Sequence, residues 1–509
     1  MSKIKTFAFQ DKATVKLGEI LAKENGALLQ GGTGTGKTYI VGQFLRDYIH
    51  KLPRAPGPRV LWVGPAATII QTRRVLNDIG VLHRLATPET KAIRGYKVIS
   101  YSSLTSPKTG GELFWDLVPD SNWAQTLRYE WNDILRPDLV VFDECQALKN
   151  DSSSRTAIAR ALPVDVKRIF ISATPYQRPS EARTVMGGVG VRGKSGVAYN
   201  DSNIWRLLTT DCSRYGDPYA YSPAAMERVR DYMDPYTVAL KGIRFKFKAR
   251  SECVLIDFDT EDARKEYIRA YEDYLLVLFK TKGWTGHSAA AARLVAMQKF
   301  RQKAEELRGP EVARRAYAKV TKEGKAVIIA SNFKDMLRAA IIKLRELGVS
   351  DDRMSFIHGG QTAEKRQSSV DRFQSGETSY MLMTMASGGV GISLHHETEQ
   401  AKPRHIILPP TWSAIDLIQA LGRSHRLTSL SDTTQEILWY RNTIEGDVAS
   451  VVQQKTRCLN KAVQAREQWA TLFVPKEDNL GSDLGDVDAD RDADTDYSLD
   501  AGLLADQQE

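Results

Sequence analysis

Short apolar runs recur along the chain and end in polar or glycine-containing turns. GALLQ (26–30), RVLWVGP (59–65), YKVISYS (96–102), DLVVFDE (138–144) and KRIFISAT (167–174) form a first set. AVIIAS (326–331), RMSFIHG (353–359), SYMLMTM (379–385) and RHIILP (404–409) form a second. Near-continuous apolar strands separated by helical stretches predict a parallel α/β sheet. FKDMLRAAIIKLRELG (333–348) is one such helix, with a leucine-rich face and Gly348 as its stop. Two α/β units of similar size are therefore expected.

The intervening residues read differently. GGVGVRGKSGVAYNDS (187–202) reads as a loop, and AAAARLVAMQKFRQKAEEL (289–307) as a charged helix. In IRFKFKAR, the cations Arg244, Lys246, Lys248 and Arg250 alternate; as a strand they would share one face. That face suits either a polyanion or a charge-blunted sheet edge. The expected division is 1–179 (first unit), 180–320 (interlobe region), 321–475 (second unit) and 476–509 (tail).

At 509 residues the chain exceeds one core, and its 42% apolar and 26% charged content is ordinary for a globular protein. No run is long enough to span a bilayer, and the N-terminus lacks a secretory pattern. Cys145, Cys212, Cys253 and Cys458 form no CxxC pair, which fits a reducing compartment and a cytoplasmic location. The charge of +9 is uneven. Residues 476–509 hold twelve acidic and two basic residues, a net −10, leaving +19 on residues 1–475. The acidic, aromatic-poor tail reads as disordered. A basic body suggests nucleic acid as partner, with plain solubility the bland alternative. DVDADRDADTD (486–496) lacks the central glycine and final glutamate of a calcium loop.

GGTGTGKT (31–38) fits the G-x-x-x-x-G-K-T phosphate cradle between a strand and a helix. Gly31, Gly34 and Gly36 let backbone N–H groups turn onto phosphate oxygens. Lys37 can reach the β- and γ-phosphates, and the Thr38 hydroxyl can ligate Mg²⁺. Asp143 and Glu144 end a buried strand, where one carboxylate can hold Mg²⁺ and the next can polarise water. Ser172 and Thr174 of SATP could link that metal site to a neighbour. QALGRSHR (419–426) sets Gln419, Arg423 and Arg426 at helical spacing, so the arginines would share one face and suit a γ-phosphate.

In this order, GGTGTGKT, DECQ, SATP, SGGVGISL and QALGRSHR resemble superfamily 2 helicase-type ATPases. VISYSSL (98–104), DECQALKN (143–150) and FIHGGQTAEKRQSSVDRF (356–373) are similar to the SNF2-like group. The resemblance covers roughly residues 7–450. It implies two RecA-like parallel-sheet lobes with a helical interlobe insertion, with ATP and Mg²⁺ in the cleft between them. It also implies an adenine-reading Gln10, magnesium and water-activating acids at Asp143 and Glu144, and Gly391 on the nucleotide side of the second lobe. Arg423 and Arg426 would be arginine fingers, with Gln419 beside them.

The same resemblance runs nucleic acid across both lobes, past Thr68, Arg73, Ser102, Asn332, His358 and Thr384. There are departures. Leu427, Thr428 and Ser429 follow Arg426 where the family often has isoleucine-glycine-glutamine, and Cys145-Gln146 stands where a histidine is usual. The chain reads as a compact stand-alone motor, of the type found in phages, viruses and bacteria, and as a monomer. The leading expectation is an ATP-dependent translocase on duplex or branched DNA, without a readable wedge. A strand-separating DNA or RNA helicase and a hydrolysis-deficient scaffold are the alternatives.

Overall fold

The computed structural model describes residues 7–48, 60–81, 96–106, 115–120, 123–132, 137–193, 197–198, 200–243, 245–283, 287–385 and 392–463. Its strands, in chain order, are β1 (Gly26–Gly31), β2 (Val60–Gly64), β3 (Tyr96–Ser100), β4 (Trp115–Asp120), β5 (Trp123–Trp131), β6 (Leu139–Asp143), β7 (Lys167–Ser172) and β8 (Thr237–Leu240). Then come β9 (Ala249–Ile256), β10 (Ala326–Ser331), β11 (Met354–Ile357), β12 (Tyr380–Thr384), β13 (Arg404–Leu408) and β14 (Thr433–Tyr440). The helices of the first half are α1 (Ala8–Lys23), α2 (Lys37–Tyr48), α3 (Ile69–Asp78), α4 (Tyr101–Thr105), α5 (Ser154–Arg160), α6 (Arg183–Val189), α7 (Asp201–Thr210) and α8 (Pro223–Met233). Those of the second are α9 (Glu261–Lys280), α10 (His287–Thr321), α11 (Lys334–Glu346), α12 (Ala363–Gln374), α13 (Ala414–Leu421) and α14 (Glu445–Val463).

Two six-stranded sheets carry the fold, in the orders β3-β2-β6-β7-β1-β8 and β11-β12-β10-β13-β14-β9. Every neighbouring pair in both is parallel. In β1, β2, β6, β10, β12 and β13 all residues are buried, as strands covered on both faces require. Leu17, Ile40 and Val75 cover one face of the first sheet, and Ile158, Val185, Ile204 and Val229 the other. Around the second sheet, α9, α10 and α11 close one face and α12 and α13 the other. Parallel strands place all their C-terminal ends on one rim, so the turns after β1, β6 and β7 lie together. No helix among the described residues is long and apolar enough to cross a membrane.

The sheets redraw the expected boundaries. Residues 180–320 are not one interlobe unit: β8 is an edge of the first sheet and β9 an edge of the second. The mixed polarity of ARSECVLI hid β9, which is a partly exposed edge strand. The strand expected across IRFKFKAR starts only at Ala249, so Lys246 and Lys248 precede it and Arg250 lies within it; Arg244 lies outside the described residues. Gly187 and Gly188 lie in α6, so the expected loop at 187–202 begins later. The last helix is shared: Val452 and Leu459 of α14 enter the second core, while Cys458 and Ala462 enter the first. The Gln30 side-chain amide donates to the Ala462 carbonyl at 3.4 Å, and that of Gln454 to the Tyr221 carbonyl at 3.0 Å. The acidic tail expected to be disordered lies outside the described residues.

Candidate active site

The phosphate cradle forms where β1 ends. Gly34 and Gly36 have φ of 76° and 77°, a left-handed conformation that glycine adopts without strain. Gly34 also has to be bare. A Cβ there would fall 2.5 Å from Cδ of Arg426, far inside contact distance. Lys37 opens α2 and folds back, its Nζ donating to the carbonyls of Gly31 at 2.9 Å and Gly32 at 3.0 Å. Burial lowers its pKa, and the nearby charges of Glu144 and Asp143 oppose that. Thr38 follows in the same first turn. Gln10, buried in α1, donates to the Thr35 carbonyl at 3.2 Å and accepts from the Phe7 N–H, so it touches the cradle directly.

Asp143 ends β6, and its pKa is pushed up to about 7, first by burial and then by the charge of Glu144. Glu144 has a φ of 51°, a conformation that costs a non-glycine residue energy and tends to persist at functional sites. Its carboxylate accepts from the Gln146 amide at 2.8 Å and from the Gln419 amide at 3.4 Å, the latter across the cleft. Gln146 accepts in turn from the Ser172 hydroxyl at 2.6 Å, and Ser172 accepts from the Thr174 N–H at 2.9 Å. SATP is thus bonded to Glu144 through Gln146. The connecting residue, Gln146, stood out in the sequence only as a departure from histidine. Its spacing, two residues past Glu144, was the available signal. Tyr101 was also missed; its hydroxyl donates to the Asp143 carbonyl at 3.0 Å.

Arg423 and Arg426 reach this rim by a different route from the one predicted. They do not share a helix face, because α13 stops at Leu421 with Gly422 as its cap. The turn that follows carries both, and it packs against the cradle. The Leu427 N–H donates to the Gly34 carbonyl at 3.4 Å, and a Cβ on Gly422 would lie 2.1 Å from Oγ1 of Thr33. Both guanidiniums donate to one carbonyl, Ile392, at 3.1 and 3.2 Å. Burial, followed by the charge of Arg426, pushes the Arg423 pKa down to about 9. The Nε atoms of both are buried without a partner. Two crowded cations with unmet donors, and no ion pair among the described residues, suit an anion held between them and Lys37. Together with Thr38 and Asp143, which offer oxygen donors to a hard cation, the residues present fit a magnesium nucleotide. Gly391 lies outside the described residues.

The positions expected along nucleic acid are spread over the C-terminal rims of both sheets. Thr68 ends the turn after β2 and donates to the Pro65 carbonyl at 2.9 Å. Arg73, exposed on α3, donates to the Val98 carbonyl at 3.0 Å. Ser102 lies 2.8 Å from the Ser100 hydroxyl that caps α4. Asn332 follows β10 and gives its backbone N–H to Glu305 at 2.9 Å; its side-chain amide bonds both Glu305 and the Pro410 carbonyl. The His358 ring bonds the Gly359 carbonyl at 2.8 Å, and Thr384 is buried at the end of β12.

A family model described as the helicase conserved C-terminal domain matches residues 311–428, which hold Asn332, His358, Thr384, Gln419 and both arginines. A protein of Acanthamoeba polyphaga mimivirus named "Putative ATP-dependent RNA helicase L364" is 24% identical over 481 residues, 86% of this chain and 80% of that protein. The second half of the chain thus matches a helicase domain, and the chain over most of its length is similar to a protein named as an ATP-dependent helicase. Among solved structures, the chain is similar to the Sulfolobus solfataricus SWI2/SNF2 ATPase core in complex with dsDNA, at 15% identity and a TM-score of 0.35 over 91% of this chain and 97% of that one. It is also similar to S. cerevisiae Dbp5 bound to RNA and ADP BeF3, at 13% identity and a TM-score of 0.46 over 89% and 88%.

Proposed function

We propose that this helicase-type ATPase is a motor that couples ATP hydrolysis to movement along nucleic acid, with duplex DNA as its first substrate. It would remodel branched DNA or displace bound proteins. The observation that supports this reading is the turn carrying Arg423 and Arg426, from the second half of the chain, which sets Arg426 and the Leu427 N–H against Gly34 of the cradle in the first. A cleft completed by both lobes changes shape when its nucleotide changes, and that is how a two-lobed ATPase can move.

In this reading Lys37 and the cradle N–H groups hold the phosphates, and Gln10 faces the adenine. Thr38 and Asp143 hold Mg²⁺, which when bound neutralises phosphate charge. Glu144 orients the attacking water and accepts its proton, with Gln146 and Gln419 fixing its carboxylate. Arg423 and Arg426 stabilise charge that develops on the γ-phosphate. Intact acids, lysine and arginines argue against a hydrolysis-deficient scaffold.

Strand separation on DNA or RNA is the second reading. It is supported by the β4–β5 hairpin, which the sequence did not reveal, and by the printed name of the mimivirus relative. ATPase rates measured without polymer, with single-stranded DNA, duplex DNA, RNA, forks and four-way junctions test these readings together. Stimulation by duplex DNA is expected. Turnover indifferent to every polymer would sink the motor, and no turnover at all would favour the scaffold.

A further inference from the structure

The chain passes from the first sheet to the second through residues 241–248, which leave β8 and enter β9. β8 ends the strand order of one sheet and β9 that of the other, so this linker joins edge to edge. Arg244, within it, lies outside the described residues. The rest is fastened from inside. The Phe245 ring lies 4.9 Å from the His425 ring, which bonds the Phe247 carbonyl at 2.9 Å. The Lys248 N–H donates to Asp432 at 2.9 Å, and the Thr433 N–H to the Lys248 carbonyl at 2.9 Å. Phe245 and Phe247 are half-buried, whereas Lys241, Lys246 and Lys248 are exposed. None of these lysines makes an ion pair among the described residues. The acid beside them, Asp432, is taken by Arg250 at 3.4 Å.

A row of solvated cations fixed along an anchored backbone suits a polyanion. Two are at hand: nucleic acid, and residues 476–509 with their net −10. Position separates them. Thr68, Ser102, His358 and Thr384, expected along nucleic acid, follow or end β2, β3, β11 and β12, toward the opposite end of the strand order in each sheet. The described chain, in contrast, ends beside the linker. Ala462, near the end of α14, accepts from Gln30, and Gln30 stands opposite Ala239 of β8, two residues before Lys241. Residues 464–476 reach at most about 45 Å and residues 241–248 span at most about 28 Å, so the acidic segment can reach the whole linker. Exposed ion pairs are individually weak, but a tethered partner meets the lysines at an effective concentration on the order of mM.

We propose that the acidic segment 476–509 docks on the linker, its carboxylates against Lys241, Lys246 and Lys248. The contact lies within the chain and stands apart from the motor reading. It sets the segment against the backing of the turn that carries Arg423 and Arg426, because the linker rests on His425 of that turn.

The test uses the full chain. Carbodiimide joins lysines to carboxylates that touch them, and mass spectrometry locates the joints. In the monomer at low salt, joints from residues 476–509 should concentrate on Lys241, Lys246 and Lys248. They should fall several-fold at about 1 M salt, where charges act over only about 3 Å. A labelled synthetic peptide of residues 476–509 then probes the linker in three full-length proteins with equal thermal unfolding midpoints. The first is the parent, and the second carries Asp→Asn at 486, 488, 490, 492, 494 and 496. The third adds Lys241→Gln, Lys246→Gln and Lys248→Gln to the second. The second protein should bind the peptide about tenfold more tightly than the parent, whose linker its own segment occupies. The third should fall back to the parent level or below. Equal binding in all three, or joints scattered over lysines elsewhere, overturns the docking. So does a chain without joints to the linker in which the three glutamines weaken binding of duplex DNA, an outcome that gives the lysines to nucleic acid.

Discussion

The nucleotide cleft and the rim expected to carry nucleic acid are built in opposite ways. In the cleft, side chains from both halves meet one another: Gln419 on Glu144, Arg426 against Gly34, Gly422 against Thr33. Along the rim, each candidate is bonded within its own neighbourhood: Thr68 to Pro65, Asn332 to Glu305, His358 to Gly359. In the cleft, the Nε donors of Arg423 and Arg426 are buried without a partner. A phosphoryl group needs particular atoms at particular places, whereas a polymer backbone can be gripped by many N–H groups and a general positive potential.

Removing a group proposed to face the γ-phosphate should have the largest effect. Arg426→Ala takes away a guanidinium whose hydrogen bond goes to the Ile392 carbonyl. The expected loss in kcat is on the order of 10³, with nucleotide still bound, as read by polymer-stimulated ATPase and nucleotide titration. Loss of nucleotide binding itself would contradict the assigned role. Lys37→Ala should weaken productive ATP handling with the fold intact.

This asymmetry also decided what could be read from the sequence. The buried parallel strands were legible because both faces are covered and most of their residues are apolar. The cradle, the acids and the arginine pair were legible because their chemistry restricts residue type. The partly exposed edge strand β9 was not, since an exposed edge tolerates charge. The shared helix α14 was also hidden: its two apolar faces look like one ordinary amphipathic pattern until two lobes lie beside it. The arginines were singled out but placed on a helix, because i, i+3 spacing also occurs in turns. The β4–β5 hairpin escaped because Trp115 and Trp131, opposite each other in it, are sixteen positions apart in the chain and meet only after pairing.

On the rim, Glu305→Gln should act through the fold. Glu305 is 4% exposed, and burial pushes its pKa up to about 7. The ordinary glutamate value is 4.5, so between about pH 4.5 and 7 the unfolded chain gives up a proton that the folded chain keeps. Stability should therefore fall as pH rises through that window and level off above it, by on the order of 3 kcal/mol in total. Urea unfolding of Glu305→Gln should lack that slope. If the slope persists, Asn332 is held by something other than this carboxylate.

Gln146 tests whether the cleft's bonds act as a network. Gln146→Ala leaves Glu144 without its 2.8 Å donor and Ser172 without its acceptor. A fall in kcat of about tenfold is expected, with nucleotide affinity little changed, as for outer partners that orient a reactive group. Gln146→His, the usual family residue, should recover much of the rate. It should also add a pH dependence near the ordinary histidine pKa of about 6.5, which the parent lacks at that position.

The smallest effect belongs to Arg73, and it separates gripping from scaffolding on the rim. Arg73 is exposed and donates to the Val98 carbonyl, one neutral bond that holds the side chain along the end of β3. If Arg73 also neutralises a phosphate, Arg73→Ala should weaken binding evenly across sequences. It should also reduce the slope of log K against log salt by about one. If the arginine only braces β3, any shift in affinity comes through the fold and the slope stays where it was. Neutralised charge, unlike lost packing, is counted by released counterions, so the slope rather than the affinity decides.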